Sequence, residues 1–256
     1  MAICAMMCGF DTWSEITLFA QEREPWFRRW LSLPGGIPSH DTFNRIFATL
    51  PPASLKSIFQ AWIGDIMGDD KLVGQLAVDG KALRATAKGR GANAVHMVNV
   101  WSTELGMCVG QQKVADKSNE ITAIPELLQL LELKGCLVSI DAMGTQVKIA
   151  DTILKKSGDY LLAVKDNQPS LNTEVKEQFQ AYWDKNETDV SGHGFTEQFD
   201  SEHGRKEHRR CWVLMVDESM PVCQQWKAKT IIAVQAERIE NGKGYDFVRF
   251  YISSRA

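Results

Sequence analysis

No stretch of this chain approaches eighteen uninterrupted apolar residues, so nothing in it reads as a helix that crosses a membrane. A global excess of basic charge is also missing. The formal net charge is −3, so any nucleic-acid site has to be a local patch rather than a property of the whole surface. Six cysteines (Cys4, Cys8, Cys108, Cys136, Cys211, Cys223) contain no C-x-x-C pair, and most sit in apolar or strand-like runs. That pattern fits reduced, cytoplasmic thiols better than a zinc site or a disulfide framework. The opening MAICAMMCGF lacks a basic n-region and reads poorly as a signal peptide. Internal repeats and low-complexity tracts are absent. KGRGA at 88–92 lacks the strand-to-helix setting of a phosphate loop, so a small-molecule α/β enzyme finds no support there.

What is present changes period along the chain. Residues 1–70 carry apolar positions at helical spacing in MAICAMMCGF, TWSEITLFAQ, EPWFRRWLSL and ASLKSIFQAWIGDIM, interrupted by LPGGIP. Ser39 or Asp41 is placed to cap a short helix that Pro51-Pro52 stops. Such a cluster of helices suits a helix-turn-helix-like DNA reader or a helical scaffold. From Gly74 three strand-like runs follow (QLAVDG, AVHMVNVWST, MCVGQQKVA), expected to pair as an antiparallel meander. A helix capped by Ser118 or Asn119 comes next, then strand CLVSIDAM, helix, strand DYLLAVKD and helix. This order predicts a mixed α/β sheet with helices on both faces. Residues 186–256 return to strands, with ENGKG as a hairpin turn.

Asp79 and Asp141 each stand near the C-terminal end of a strongly apolar strand, LAVD and LVSID. With the first strand of the meander beside the fourth, both carboxylates reach one sheet edge. Two like charges there repel unless a cation lies between them, and an oxygen-only environment suits Mg²⁺ or Mn²⁺. Such a pair is the minimum for two-metal phosphoryl transfer. Strand-terminal aspartates are also ordinary turn and cap residues, so spacing alone leaves both readings open.

VDGKALR, KSNEITAIPELL, SIDAMGTQ, DYLLAVKDNQPSL and HGRKEHRR, in that order, resemble the insertion-sequence transposases of the Asp-Asp-Glu superfamily. The likeness is to the branch of H-repeat-associated proteins found near Rhs elements. GFDTWSEI and GIPSHDTFNRIFATL resemble the helical associated domain of that branch. The resemblance implies an RNase H-like core at 71–185, a helical associated domain at 1–70 and a β-rich insertion at 186–256. It implies Mg²⁺ or Mn²⁺ held by Asp79 and Asp141, double-stranded DNA at the element ends as partner, and a homodimer as one possible assembly. In the resembled family a third acid, a glutamate, lies on a helix beyond a segment like YISS. This chain reads YISSRA at that point, so the expectation is an incomplete triad, strand transfer lost, and a non-catalytic DNA-binding remnant as the alternative.

Further candidates divide in the same manner. Glu120 opens the helix after the meander, where it either reaches the metals or complements the positive end of the helix. Lys81 and Arg84 follow Asp79 and are either DNA-phosphate contacts or ordinary exposed cations. The resemblance makes Lys165, Asn167 and Gln168 DNA-contacting candidates, although Asn-Gln-Pro alone reads as a turn. His203, Arg205, Lys206, His208, Arg209 and Arg210 form the densest basic cluster, diluted by Glu202 and Glu207. It is read as contacting the DNA backbone, with His203, Arg205 and Arg209 foremost, against a solvated hairpin edge.

Overall fold

The structure is a computed structural model that describes residues 1–67, 72–83, 95–114, 120–185, 194–202, 205–240 and 243–256. Ser118, Asn119, Arg84, His203, the 88–92 segment and the tip of the ENGKG turn at 241–242 lie outside the described residues. The chain divides into two units, Met1–Ile66 and Met67–Ala256. Among the described residues no helix is long and apolar enough to cross a membrane.

The first unit is helical: α1 (Ala2–Met7), α2 (Trp13–Glu22), α3 (Glu24–Phe27), α4 (His40–Thr49) and most of α5 (Pro52–Met67). A capping box starts α2. The Glu15 N–H donates to the Thr12 hydroxyl at 3.3 Å, and the Thr12 N–H donates to the Glu15 carboxylate at 3.2 Å. Of the two candidate caps for α4, Ser39 takes the role, accepting the Thr42 N–H at 3.3 Å. Ala2, Ala5, Ile16 and Phe43 form a small core, lined by Phe10, Trp13, Phe19 and Phe47. The helix expected through EPWFRRWLSL covers only Glu24–Phe27. Arg28 explains the early stop: it pairs with Glu24 and donates from Nη1 to the Leu33 carbonyl at 3.1 Å, turning the chain back ahead of Pro34.

The second unit contains β1 (Gly74–Leu83), β2 (Val95–Ser102), β3 (Met107–Val114), α6 (Glu120–Gln129), β4 (Cys136–Ile140) and a 3₁₀ turn (Ala142–Gly144). It continues with α7 (Val147–Lys155), β5 (Asp159–Val164), α8 (Pro169–Lys185), β6 (Gly194–Glu202), β7 (Arg205–Met215), α9 (Pro221–Gln225), β8 (Thr230–Glu240) and β9 (Lys243–Ser253). One sheet takes all the strands in the order β3-β2-β1-β4-β5-β9-β8-β7-β6. The meander forms as read, and β1 lies beside β4. β1–β4 and β4–β5 are parallel, whereas β5–β9 and the hairpin strands are antiparallel. The strands of 186–256 therefore extend the same sheet.

Alternation sorts the side chains into two faces. Leu76, Val78, Val138, Ile140, Tyr160 and Leu162 are buried on one of them, each large apolar side chain contributing about 1.5–3 kcal/mol. Gln112 donates to Glu126 of α6 at 3.0 Å on this face. Phe179 of α8 packs tilted against Phe250 and Trp183 meets Trp212 edge-on, and the Tyr160 hydroxyl donates to the Trp226 carbonyl at 2.7 Å just after α9. Burial pushes the Tyr160 phenol up, so it stays a donor. Helices on both faces were expected, but these contacts of α6, α8 and α9 all fall on one. The reason is topological. The crossovers β3-α6-β4, β4-α7-β5 and β5-α8-β6 all run in the same direction along the sheet, and right-handed connections then put these helices on one side.

Candidate functional site

The last paired residues of β1 and β4 are Val78 and Ile140. Asp79 and Asp141 are the next residue on each side, so they stand side by side where the β1–β4 ladder ends, with backbones separated by about the 5 Å spacing of neighbouring strands. Asp79 stays within β1, opposite Asn99 of β2, and Asp141 lies one residue past β4. Both are exposed. Asp141 also caps the 3₁₀ turn, its Oδ1 accepting the Gly144 N–H at 3.3 Å. The runs LAV and VSI thus lie within the sheet, and the carboxylate that follows each opens to solvent.

Gly80 separates this site from Glu120. A Cβ at Gly80 would overlap the Glu120 carboxyl, so that buried carboxyl lies against the Gly80 backbone on the α6 face. Asp79, one residue earlier, points to the opposite face. Glu120 and Asp79 thus both adjoin Gly80, with the sheet between them. Among the described residues no group of three or more acids, histidines or cysteines is placed to hold one ion.

Beside Asp141 lies a cleft of about 500 Å³ lined by Ala77, Ser139, Lys165, Lys176, Arg249 and Tyr251 among others. Lys165 is exposed at its rim, and Lys176 stands 3.9 Å from the Asp166 carboxylate. The Arg249 guanidinium lies 4.9 Å above the Phe247 ring. Register puts Arg249 on the face that carries Asp79, through Ala77–Ser139–Leu161 and Ala163–Tyr251. Lys81, two residues past Asp79, is exposed on that face too. Lys176 and Arg249 escaped the sequence reading, because neither sits in a basic run; only the strand alternation of DFVRFY hinted at Arg249.

Asn167 and Gln168 turn towards the protein. Asn167 Nδ2 donates to the Ala142 carbonyl at 2.6 Å, and Gln168 Nε2 donates to the Thr145 carbonyl at 2.9 Å.

The basic cluster does not form one patch. β7 alternation puts Lys206, His208 and Arg210 on the α8 face and Glu207 and Arg209 on the other. Of Arg205 only the backbone is described. His208 stacks on Phe199 with ring centres 3.9 Å apart, and its Nε2 lies 3.1 Å from Glu197. Arg210 pairs with Glu237 at 3.0 Å. On the other face the buried Glu207 carboxylate takes the Nε of Arg209 at 2.7 Å and faces that of Arg238 at 3.5 Å.

Two family models match the chain. A model described as DDE_Tnp_1-associated matches residues 1–63, and one described as Transposase DDE domain matches residues 74–234. A protein in Xanthobacter autotrophicus, from the dhlA 3' region, is 36% identical over 99% of this chain and 85% of its own length. The Escherichia coli protein named "H repeat-associated putative transposase YhhI" is 38% identical over 99% of this chain and 68% of its own length. YncI of Escherichia coli O157:H7 is 38% identical over 100% of this chain, which spans 66% of that relative. A piggyBac transposase synaptic complex with hairpin DNA aligns over 94% of this chain and 50% of its own at 10% identity, with a TM-score of 0.40, too distant to support an inference. With most of its length matched, acid-bearing strands included, the chain belongs to the Transposase DDE domain family, in kinship with the H-repeat-associated transposases.

Proposed function

We propose that residues 71–185 are an RNase H-like core, flanked by a helical associated domain and a β-rich insertion, that acts on double-stranded DNA at the ends of a mobile element. The observation that carries this reading is the β1–β4 register, which brings Asp79 and Asp141 side by side where the parallel pairing of the two strands ends. The donor set fits a hard divalent cation. It is oxygen-only and solvent-facing, and Mg²⁺ is commonly held by one or two carboxylates, with waters and substrate phosphate completing the shell. Asp79 and Asp141 would hold Mg²⁺ or Mn²⁺, which when bound supplies charge stabilisation for phosphodiester cleavage and strand transfer. Lys81 and Lys165, joined by Lys176 and Arg249, lie within reach of a backbone entering the cleft and orient it by phosphate contact.

A second reading, DNA binding without strand transfer, is favoured by the placement of Glu120. This helix-borne acid opens α6 near Asp79, yet its carboxyl lies against Gly80 on the other face. It complements the positive end of α6 rather than joining the pair.

Mn²⁺ binding followed by electron paramagnetic resonance, together with a cleavage and joining assay on element-end DNA, tests both. The first reading expects ion binding and strand joining that Asp79→Asn and Asp141→Asn each abolish. Binding of DNA and of the ion without joining supports the second. Ion binding insensitive to both substitutions sinks the shared site.

A further inference from the structure

We propose that Asn167 and Gln168 are positioning residues that fix Asp141, rather than contacts to DNA. Asp141 stands just past the paired end of β4, so the ladder no longer dictates its direction. From there the chain runs through a short strap, 141–146, which is tied from two sides. Thr145, fully buried, donates its single hydroxyl proton to the Ala163 carbonyl of β5 at 2.6 Å. The turn after β5 supplies the other ties, Asn167 to the Ala142 carbonyl and Gln168 to the Thr145 carbonyl. Within the strap, the Gly144 N–H reaches both the Asp141 carbonyl at 3.1 Å and its Oδ1 at 3.3 Å. The carbonyls that Asn167 and Gln168 grip therefore flank the one amide that orients the Asp141 carboxylate.

The turn is stiff enough for this role. The Gln168 N–H donates to the Lys165 carbonyl at 3.0 Å, and Asn172 Nδ2 donates to Asp166 at 2.8 Å. Each grip is a neutral amide-to-carbonyl bond that holds a ligand through its own loop, the arrangement in which outer-shell partners govern metal affinity. A phosphate needs donors. Each amide nitrogen gives one of its two N–H groups to the strap, which turns the side chain towards the loop, and the oxygen left on each amide would repel an anion.

Hydrogen–deuterium exchange of the 141–147 peptide, with no metal present, tests the clamp directly on the full chain. Asn167→Ala and Gln168→Ala should each speed exchange of the Gly144 and Thr145 amides by about three- to tenfold, the loss of one ordinary hydrogen bond. Asn167→Asp keeps the volume and removes the donor, so it should behave as Asn167→Ala does, which a mere space-filling role would not produce. A second arm rests on the functional reading above: the Mn²⁺ dissociation constant should rise about 10- to 100-fold in each variant. DNA affinity measured without metal should stay unchanged. Unaltered exchange overturns the proposal, as does a fall in metal-free DNA affinity with unaltered exchange. Wild-type chain without Asp79-dependent Mn²⁺ binding would defeat the functional reading instead, and exchange would still decide the clamp.

Discussion

Gly80→Ala is the sharpest perturbation available beside the acid pair, because two opposed effects can be sized. A methyl at this position restricts the unfolded chain and by itself stabilises by about 0.4–1 kcal/mol. It also enters the space taken by the Glu120 carboxyl, whose three atoms would all overlap the new carbon. Glu120 is only 7% exposed at the start of α6, so its carboxyl has little room to swing away. Overpacking of a filled site costs about 1–3 kcal/mol, and this exceeds the entropic gain. The expected net loss is about 1–2 kcal/mol, which for a unit of this size lowers the melting temperature by roughly 2–8 °C. Differential scanning calorimetry on Gly80→Ala, Glu120→Ala and the double variant isolates the contact. Glu120→Ala is destabilising alone, but the pair should be less harmful than the sum by about 1 kcal/mol. A Gly80→Ala protein that melts at or above the wild type, or a coupling within about 0.3 kcal/mol of zero, would refute the placement of Glu120 against this strand.

Glu207→Gln should cost about 2–3 kcal/mol by urea titration: loss of a buried partner usually costs about 3–5, but Arg209 and Arg238 are partly hydrated and recover some of it. Arg249→Ala should flatten the dependence of log DNA affinity on log salt by about one unit, whereas Arg210→Ala, on the other face and paired with Glu237, should leave the slope alone. Alkylation followed by mass spectrometry should mark exposed Cys8 first and Cys136 and Cys223 only on unfolding, since burial pushes both of those thiols up; early labelling of Cys223 would contradict its enclosure by α8 and β5. Lys227 holds the Asp151 carboxyl below its ordinary range, chiefly by a hydrogen bond, so the pair's contribution is present above about pH 4 and fades as pH falls through the depressed value. Both side chains are largely exposed, so Lys227→Met should cost less than about 0.5 kcal/mol at pH 7 and nothing measurable at pH 2 by thermal melting.

The sequence made the strand pairings around the acids legible because apolar runs and turn residues carry that information locally. LAVD and LVSID announce two buried strands that meet carboxylates, and a meander of three strands leaves the first free to pair with the fourth. That the first strand continues past Asp79 to Leu83 was not legible, because Gly80 reads as a turn residue. The Ser39 cap was equally local. Helix placement was not, since an apolar stripe says that a helix packs on the sheet and stays silent about which face it takes. Asn167 and Gln168 show the same limit at the scale of one side chain. NQP reads as a turn in any context, and only the position of the 141–146 strap, twenty or more residues earlier, tells what their amides hold.

The basic cluster of 203–210 shows why charge density along a chain misleads in a strand. A run of six basic residues within eight looks like a patch, but a period of two deals successive strand positions to opposite faces. Acids then answer each face separately. Glu197 and Glu237 of the neighbouring strands meet His208 and Arg210 on the α8 side, and on the other buried Glu207 of β7 itself meets Arg209 two residues on and Arg238 of β8. Much of the local positive charge is thus neutralised by pairs within the sheet. Cations brought to the acid face by register, Lys81 from β1 and Arg249 from β9, come from segments with no basic run at all. Arg249 lines the Asp141 cleft while Arg209 is committed to a buried carboxylate, so, on the proposed function, sheet topology more than the densest run of charge decides which cations would meet a DNA backbone at the acids.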